Sequence, residues 1–471
     1  MLNYEEFVSK PHSLLIAPAG YGKTHTISEC LKFTQGKQLI LTHTHAGVAS
    51  IKEKIIKASI PSSSYNVETI TSFAQRYVLS FYTQNEMPKQ EDSKVYYPFI
   101  IEKATRLFKI KPISKIISST FNGLFVDEYQ DCSLEQHKLI LVLSELFPTR
   151  ILGDYLQGIF GFNSESLVDL ESPEDMGNFW TNRYILEVPW RWKIGGNELL
   201  GQELKIIRTT LENRDLIDLA QFSSLEVNVS TDIYGNDLGA IFKILNEEKN
   251  LLILIPNSSS IAPRIKFIQR FNNVCFLMES IDNESFYKLS KRCDDVNENN
   301  VFLIIREISL ELFNKTIINQ WFSESRVKNK RDVNEKILAN VLEAKMAELK
   351  QAKSNSGIAQ LLESIKNLPG VKCYRKELFV SLCRVLDESE ANGESAYDAM
   401  LKKRNIIRRV GRKVYGRCIG TTLLTKGLEF DAVLIIEAHN FKCPKNLYVA
   451  LTRASKRLII FTNDKQLSPY T

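Results

Sequence analysis

The chain has 471 residues, 44% of them hydrophobic and 25% charged, the composition of an ordinary globular protein, which excludes a disordered class and predicts roughly two to four domains of about 100 to 200 residues each. A net charge of +6 is mild, so contact with nucleic acid has to come from local clusters of cations and not from overall basicity. The eight scattered cysteines lack a Cys-x-x-Cys pair and no apolar run is long enough to cross a bilayer, which predicts reduced thiols, no zinc or iron–sulfur centre, no membrane partner and a cytoplasmic location.

The first predicted element is the strand Leu14-Leu15-Ile16. It runs into Ala17-Pro18-Ala19-Gly20-Tyr21-Gly22-Lys23-Thr24, followed by a helix-compatible stretch from His25 to Phe33. Small residues after a strand let backbone N–H groups close around an anion, and the next helix turns its positive end toward it. At this spacing Lys23 would neutralise the outer phosphates of a nucleotide and the Thr24 hydroxyl would hold Mg²⁺. Gln38 to Thr42 reads as a buried strand, Thr42 to Ile51 leads into a helix, and Val67 to Phe73 repeats the strand-to-helix pattern. Such alternation predicts a parallel sheet with helices on both faces. Residues from 80 to 118 break the rhythm as a helical insert, with segments Tyr97 to Phe108 and Pro112 to Phe121.

The run Leu124-Phe125-Val126 is the next predicted strand, and it delivers Asp127-Glu128-Tyr129-Gln130-Asp131 to its carboxyl end, where ligands sit in open α/β sheets. Asp127 can hold Mg²⁺ through water, and Glu128 can orient or deprotonate an attacking water. Ser133-Leu134-Glu135-Gln136 has the form of a capping box and opens a helix to about Phe147. The strand Arg150-Ile151-Leu152 then presents Gly153 to Gln157, which puts Gln157 where a γ-phosphate could be sensed. From 186 a helical stretch runs to about Leu219, with strands at Leu225 to Val229 and Leu251 to Ile255. Residues 295 to 410 read as a second helical insert, and strands resume at Cys418 to Leu424, Val433 to Ile436 and Leu458 to Phe461. Between Lys402 and Arg417 eight basic residues, Arg408 and Arg409 among them, stand without an acid, which favours contact with phosphates.

Taken together, these segments resemble the motifs of the UvrD/Rep-like helicases of superfamily 1A. Ala17 to Thr24 is similar to motif I, Thr42 to Ile51 to motif Ia, Thr69 to Phe73 to the next DNA-contacting motif, Asp127 to Asp131 to motif II, and Gly153 to Phe162 to motif III. Leu186 to Arg191 resembles motif IV, Thr421 to Asp431 motif V, and Tyr448 to Arg453 motif VI, all in the family's order.

The resemblance implies an α/β fold of two RecA-like P-loop NTPase domains with parallel sheets, each carrying a helical insert. The first would comprise 1–79 and 119–185 around the insert 80–118, and the second 186–294 and 411–471 around the insert 295–410. It implies ATP and Mg²⁺ as cofactors, with Lys23, Asp127, Glu128, Gln157, Arg191 and Arg453 as the catalytic group. Ala17, Pro18, Ala19, Gly20, Tyr21, Gly22, Lys23, Thr24, Trp190, Gly427 and Glu429 would contact the nucleotide, and Thr24 and Asp127 the metal.

The DNA contacts it implies are Thr42, His43, Thr69, Phe73, Phe160 and Phe162, the last two as stacking platforms for bases; Arg408 and Arg409 join them from the basic run. The partner would be single-stranded DNA, or DNA with a single-stranded tail, tracked in the 3′ to 5′ direction. The chain's small size further resembles the helicase-like subunit of Gabija-type antiphage systems, which implies a separate nuclease subunit as partner. His43, Ala46, Asn163 and Leu423 depart from residues common in the family, and they favour an alternative: a nucleotide-gated DNA-binding switch that senses DNA ends or damage and regulates a partner nuclease without travelling.

Overall fold

The computed structural model describes residues 2–82, 87–88, 93–159, 166–230, 232–256, 260–271, 274–280, 284–410, 414 and 416–470. Six strands, β1 (His12–Ile16), β2 (Gln38–Thr42), β3 (Tyr65–Thr69), β4 (Gly123–Val126), β5 (Thr149–Gly153) and β6 (Arg183–Ile185), form a sheet in the order β3-β2-β4-β5-β1-β6. Every pairing in it is parallel. The inner strands are apolar along their length because both faces are covered. Alternate residues go to opposite faces. Leu14, Ile16, Leu39 and Leu41 join a core with Phe73, Ile100 and Leu139, whereas Leu15, Ile40, Phe125 and Leu152 join another with Phe7, Ile27 and Ile51.

The remaining strands are β7 (Ile217–Asp218), β8 (Leu225–Val229), β9 (Leu251–Leu254), β10 (Phe276–Leu277), β11 (Arg417–Gly420), β12 (Phe430–Ile435), β13 (Ala454–Thr462) and β14 (Gln466–Leu467). A second six-stranded sheet has the order β10-β11-β9-β12-β13-β8, and β14 pairs with β7 antiparallel. The fold is therefore α/β with two six-stranded parallel sheets, as the alternation of strands and helices predicts.

Compactness divides the chain into two units, one built mainly from Met1–Val229 and Thr425–Thr471, the other mainly from Ser230–Arg408. Helices Ile70–Phe81, Ser93–Phe108 and Lys111–Thr120 separate β3 from β4 in the first unit. The second unit is largely helical between Glu284 and Val410, around a core that includes Phe286, Trp321, Leu362 and Leu382. No helix among the described residues is long and apolar enough to cross a membrane.

Three details differ from the sequence expectations. β6 and β10 have three and two residues, too few for any periodic pattern to declare them. The stretch from 186 to 219 holds two helices, Trp190–Gly195 and Glu198–Glu212, separated at Gly196, whose φ of +77° is a left-handed helix stop. The strand expected to reach Leu424 ends at Gly420.

Phe73 is fully buried, its ring 5.6 Å from that of Phe108 and 6.2 Å from that of Phe121. Phe73→Ala should lower unfolding free energy by about 3 to 5 kcal/mol, read from the denaturant midpoint. An unchanged midpoint would contradict this packing role.

Candidate functional site

All six strands of the first sheet run the same way, so their carboxyl ends and the loops that follow share one edge. The loop after β1 is tied to β5, since the Ala17 N–H donates to the Gly153 carbonyl at 2.9 Å. Gly20 and Gly22 follow with φ of +78° and +90°. A β-carbon on Gly20 would lie 2.8 Å from the Trp192 ring, so backbone and space both require glycine there. Helix Lys23–Cys30 starts directly after the loop without a side-chain cap, which leaves its first N–H groups to serve a ligand. Thr24 is half-buried in its first turn. Trp190 flanks the loop beside Gly22, and the Arg191 N–H donates to the Gly20 carbonyl at 2.9 Å.

The Lys23 ammonium is buried between two carboxylates, 2.6 Å from Glu128 Oε2 and 3.4 Å from Asp127 Oδ1. Burial alone would lower its pKa, but Asp127 and Glu128 outweigh that and raise it. The same balance acts on the acids. Burial dominates at Asp127 and raises its pKa, whereas at Glu128 the penalty of burial is overcome by Lys23 and Lys426, which hold the carboxylate below its ordinary range. Glu128 stands at φ +56°, a left-handed conformation costing an L-residue about 1 to 2 kcal/mol. That turn carries the backbone from β4 into the short helical turn Tyr129–Asp131.

Gln157, at the end of the turn after β5, donates through Nε2 to Asp154 Oδ2 at 2.7 Å and faces Arg453 Nη2 through Oε1 at 3.5 Å. Arg453 is buried, and its other acceptors are neutral: the carbonyls of Val449 and Leu428 and the Thr452 hydroxyl. Burial first, and then the nearby Arg191, lower its pKa to about 9. This is a guanidinium short of counter-charge. Arg191 differs, being paired with Glu429 at 2.8 Å and bonded to the Thr452 carbonyl. Gly427, next to these groups in sequence, has φ +80°.

The structure thus brings the loop 17–24, Asp127, Glu128, Gln157, Arg191, Glu429 and Arg453 into one unit. Several partners were not singled out by sequence. Lys426 grips Asp131 at 2.6 Å and also bonds the Gln157 carbonyl. Gln130 bonds Glu128 and accepts from the Asp154 N–H at 2.9 Å, joining the ends of β4 and β5. Asp154, Arg208 and Tyr448 form a further buried group. Asp131, Asp154, Lys426 and Tyr448 stand inside motif segments, so a search for every charged or hydroxyl side chain there would have found them. Arg208, inside an amphipathic helix, has no such signal.

The expected DNA contacts fare differently. Thr42 is buried at the end of β2, and Thr69 is buried as the cap of helix Ile70–Phe81, its hydroxyl accepting from the Ser72 N–H at 3.0 Å. Phe73 lies in the core, not at a surface a base could reach. His43 is half-buried with Nε2 3.4 Å from Cys132 Sγ. Phe160 and Phe162 lie outside the described residues, as do the side chains of Arg408 and Arg409.

A glycine-rich loop at a helix start, a buried lysine, a hydroxyl, paired carboxylates and an under-compensated arginine form a donor set suited to nucleotide phosphates and a hard divalent cation. With the two parallel sheets, this set defines the P-loop NTPase fold class. Residues 4–163 match a protein-family model described as an AAA domain. The chain is also similar to the Gabija protein GajB of Bacillus cereus (strain VD045), 23% identical over 366 residues that cover 75% of this chain and 66% of that protein. It spans just under two thirds of that relative's length. Both findings support the relationship to the UvrD/Rep-like helicases that the motifs indicate.

Burial, followed by the charge of Lys426, lowers the His43 pKa to about 3. The unfolded chain therefore binds one more proton than the folded one between about pH 6.5 and pH 3, and stability present above that window is lost as pH falls through it. His43→Asn should flatten the acid limb of stability by up to about 1.4 kcal/mol per pH unit, measured by urea unfolding at stepped pH. Parallel limbs in the two proteins would contradict the assignment.

Proposed function

We propose that the protein is an ATP-dependent DNA translocase or helicase of the UvrD-like type, hydrolysing ATP with Mg²⁺ and moving 3′ to 5′ on single-stranded DNA. The observation that carries this reading is the meeting of Lys23, Glu128, Gln157 and Arg453 at one sheet edge, with Arg453 short of an anion. Lys23 would leave the carboxylates to neutralise the outer phosphates. Its departure frees Glu128, which orients the attacking water and takes its proton at Oε2. Arg453 and Arg191 then stabilise the charge that develops on the transferred group, and Gln157 reports its presence. Thr24 and Asp127 are the residues that would hold Mg²⁺, which when bound neutralises phosphate charge. Trp190, Gly427 and Glu429 would line the base and ribose side.

In this reading the segments 1–79 and 119–185, and 186–294 and 411–471, act as two RecA-like domains, with 80–118 and 295–410 as inserts. The similarity to a Gabija protein supports an antiphage setting and a separate nuclease subunit as partner. A second reading, a nucleotide-gated DNA sensor that regulates such a nuclease without unwinding, is favoured by the burial of Thr42, Thr69 and Phe73.

Lys23→Ala and Glu128→Gln should each reduce ATP turnover by at least about 100-fold, measured at a temperature where circular dichroism shows the variant folded. Retention of full turnover by either variant would contradict the mechanism. For the intact protein, turnover should rise with single-stranded DNA and the stimulation should weaken with salt. A strand-displacement assay with a 3′ tail separates the readings, because the sensor would hydrolyse ATP and displace nothing.

A further inference from the structure

Asp154 is fully buried after β5, and its two oxygens serve four donors. Oδ2 accepts from the Ala19 N–H at 3.1 Å and from Gln157 Nε2 at 2.7 Å. Oδ1 accepts from the Leu156 N–H at 3.3 Å and from Arg208 Nη1 at 2.7 Å. The Ala19 N–H also faces the Tyr448 hydroxyl at 3.3 Å, and Arg208 Nη1 donates to that same hydroxyl at 2.9 Å. Arg208 is held in place by Glu212, 2.7 Å from its Nε, and by the Tyr155 and Tyr448 rings, whose centroids lie 5.1 and 5.2 Å from its guanidinium carbon.

One carboxylate therefore joins three groups. They are a phosphate-loop amide, the side-chain amide of Gln157 and, through Arg208, helix Pro444–Leu451, which ends two residues before Arg453. A buried ion pair is a weak source of net stability, since apolar side chains of similar volume often serve as well. It does restrict geometry. With Arg208 in place, Asp154 keeps a charged partner when one of its other donors turns away.

We propose that Arg208 is a positioning residue for nucleotide turnover: through Asp154 it couples the Ala19 amide of the phosphate loop to the Gln157 side chain, so that the loop and the γ-phosphate contact change state together. The inference rests on the nucleotide reading above and extends it to a residue that touches no nucleotide. The physical step is an exchange of partners. As Gln157 Nε2 turns toward a γ-phosphate, Asp154 gives up one donor and retains Arg208. Oδ2 is then left to the Ala19 N–H, so the loop amide shifts with the same event. In Arg208→Met the carboxylate has no cation to fall back on, and the exchange loses its preference for a nucleotide that carries a γ-phosphate.

The test uses the full-length purified protein with fluorescent ADP and a fluorescent non-hydrolysable ATP analogue in Mg²⁺ buffer. Wild type, Arg208→Met, Arg208→Lys, Gln157→Ala and the Arg208→Met/Gln157→Ala double variant are compared. Wild type should prefer the ATP analogue, and Arg208→Met should lose about tenfold of that preference. Arg208→Lys should recover part of it, and the double variant should lose no more than Gln157→Ala alone.

A merely structural role would weaken both nucleotides equally, and that result, or an unchanged ratio, overturns the proposal. Should Arg208→Met fail to fold, Tyr448→Phe removes the shared hydroxyl without removing charge. The preference should then fall in the same direction, and an unchanged ratio in Tyr448→Phe overturns the proposal as well. Wild type that binds both nucleotides without preference overturns the coupling alone. Wild type that binds neither overturns the nucleotide reading and the coupling with it, and this is seen before any variant is compared.

Discussion

A buried ammonium is stable only where anions replace the water it has lost, and Lys23 meets this condition with the carboxylates of Asp127 and Glu128. The condition reaches far into the fold. Lys23 follows β1 and the acids follow β4, and β5 lies between these two strands with all three parallel. Gly153 at the end of β5 leaves room for this, because a β-carbon there would lie 2.6 Å from Leu170 and 2.9 Å from Gln130. Gln130 in turn ties Glu128 to the Asp154 backbone. The sheet edge is an electrostatic arrangement as much as a packing one.

Several cations at this edge are paired. Lys426 has Asp131, Arg191 has Glu429 and Arg208 has Asp154. Arg453 differs from these, since the acceptors of its guanidinium are neutral and burial draws its pKa down to about 9. A site that leaves a buried guanidinium under-compensated is suited to an anion that comes and goes. The proposed γ-phosphate has that character, and the contact between Arg453 and Gln157 puts the open cation beside the proposed sensor.

Most of the architecture was legible in the sequence, because strand–loop–helix units declare themselves locally. Apolar runs such as Leu124-Phe125-Val126 end where charged residues begin, and Ser133 with Gln136 forms the capping box its spacing predicts. β6 and β10 were not legible, for a strand of two or three residues is defined by its neighbours and not by its own pattern. The nucleotide-facing residues were legible because they follow strand ends. The DNA-facing ones were less so: Phe73 and Thr69 occupy a helix start whose inward face is set by the helices packed upon it, and those arrive from the insert after β3.

By itself, the sequence determined which residues end each strand and enter each loop, and hence the glycine, lysine and paired acids of the candidate site. These follow from spacing along the chain, which local backbone geometry obeys. Only the tertiary structure decided the partners. Arg208 lies 54 positions from Asp154 and Lys426 lies 295 from Asp131, and nothing in either segment names the other. Strand order chooses such pairs, and burial then enforces them, because a charge removed from water must be met by whatever group the fold has brought beside it.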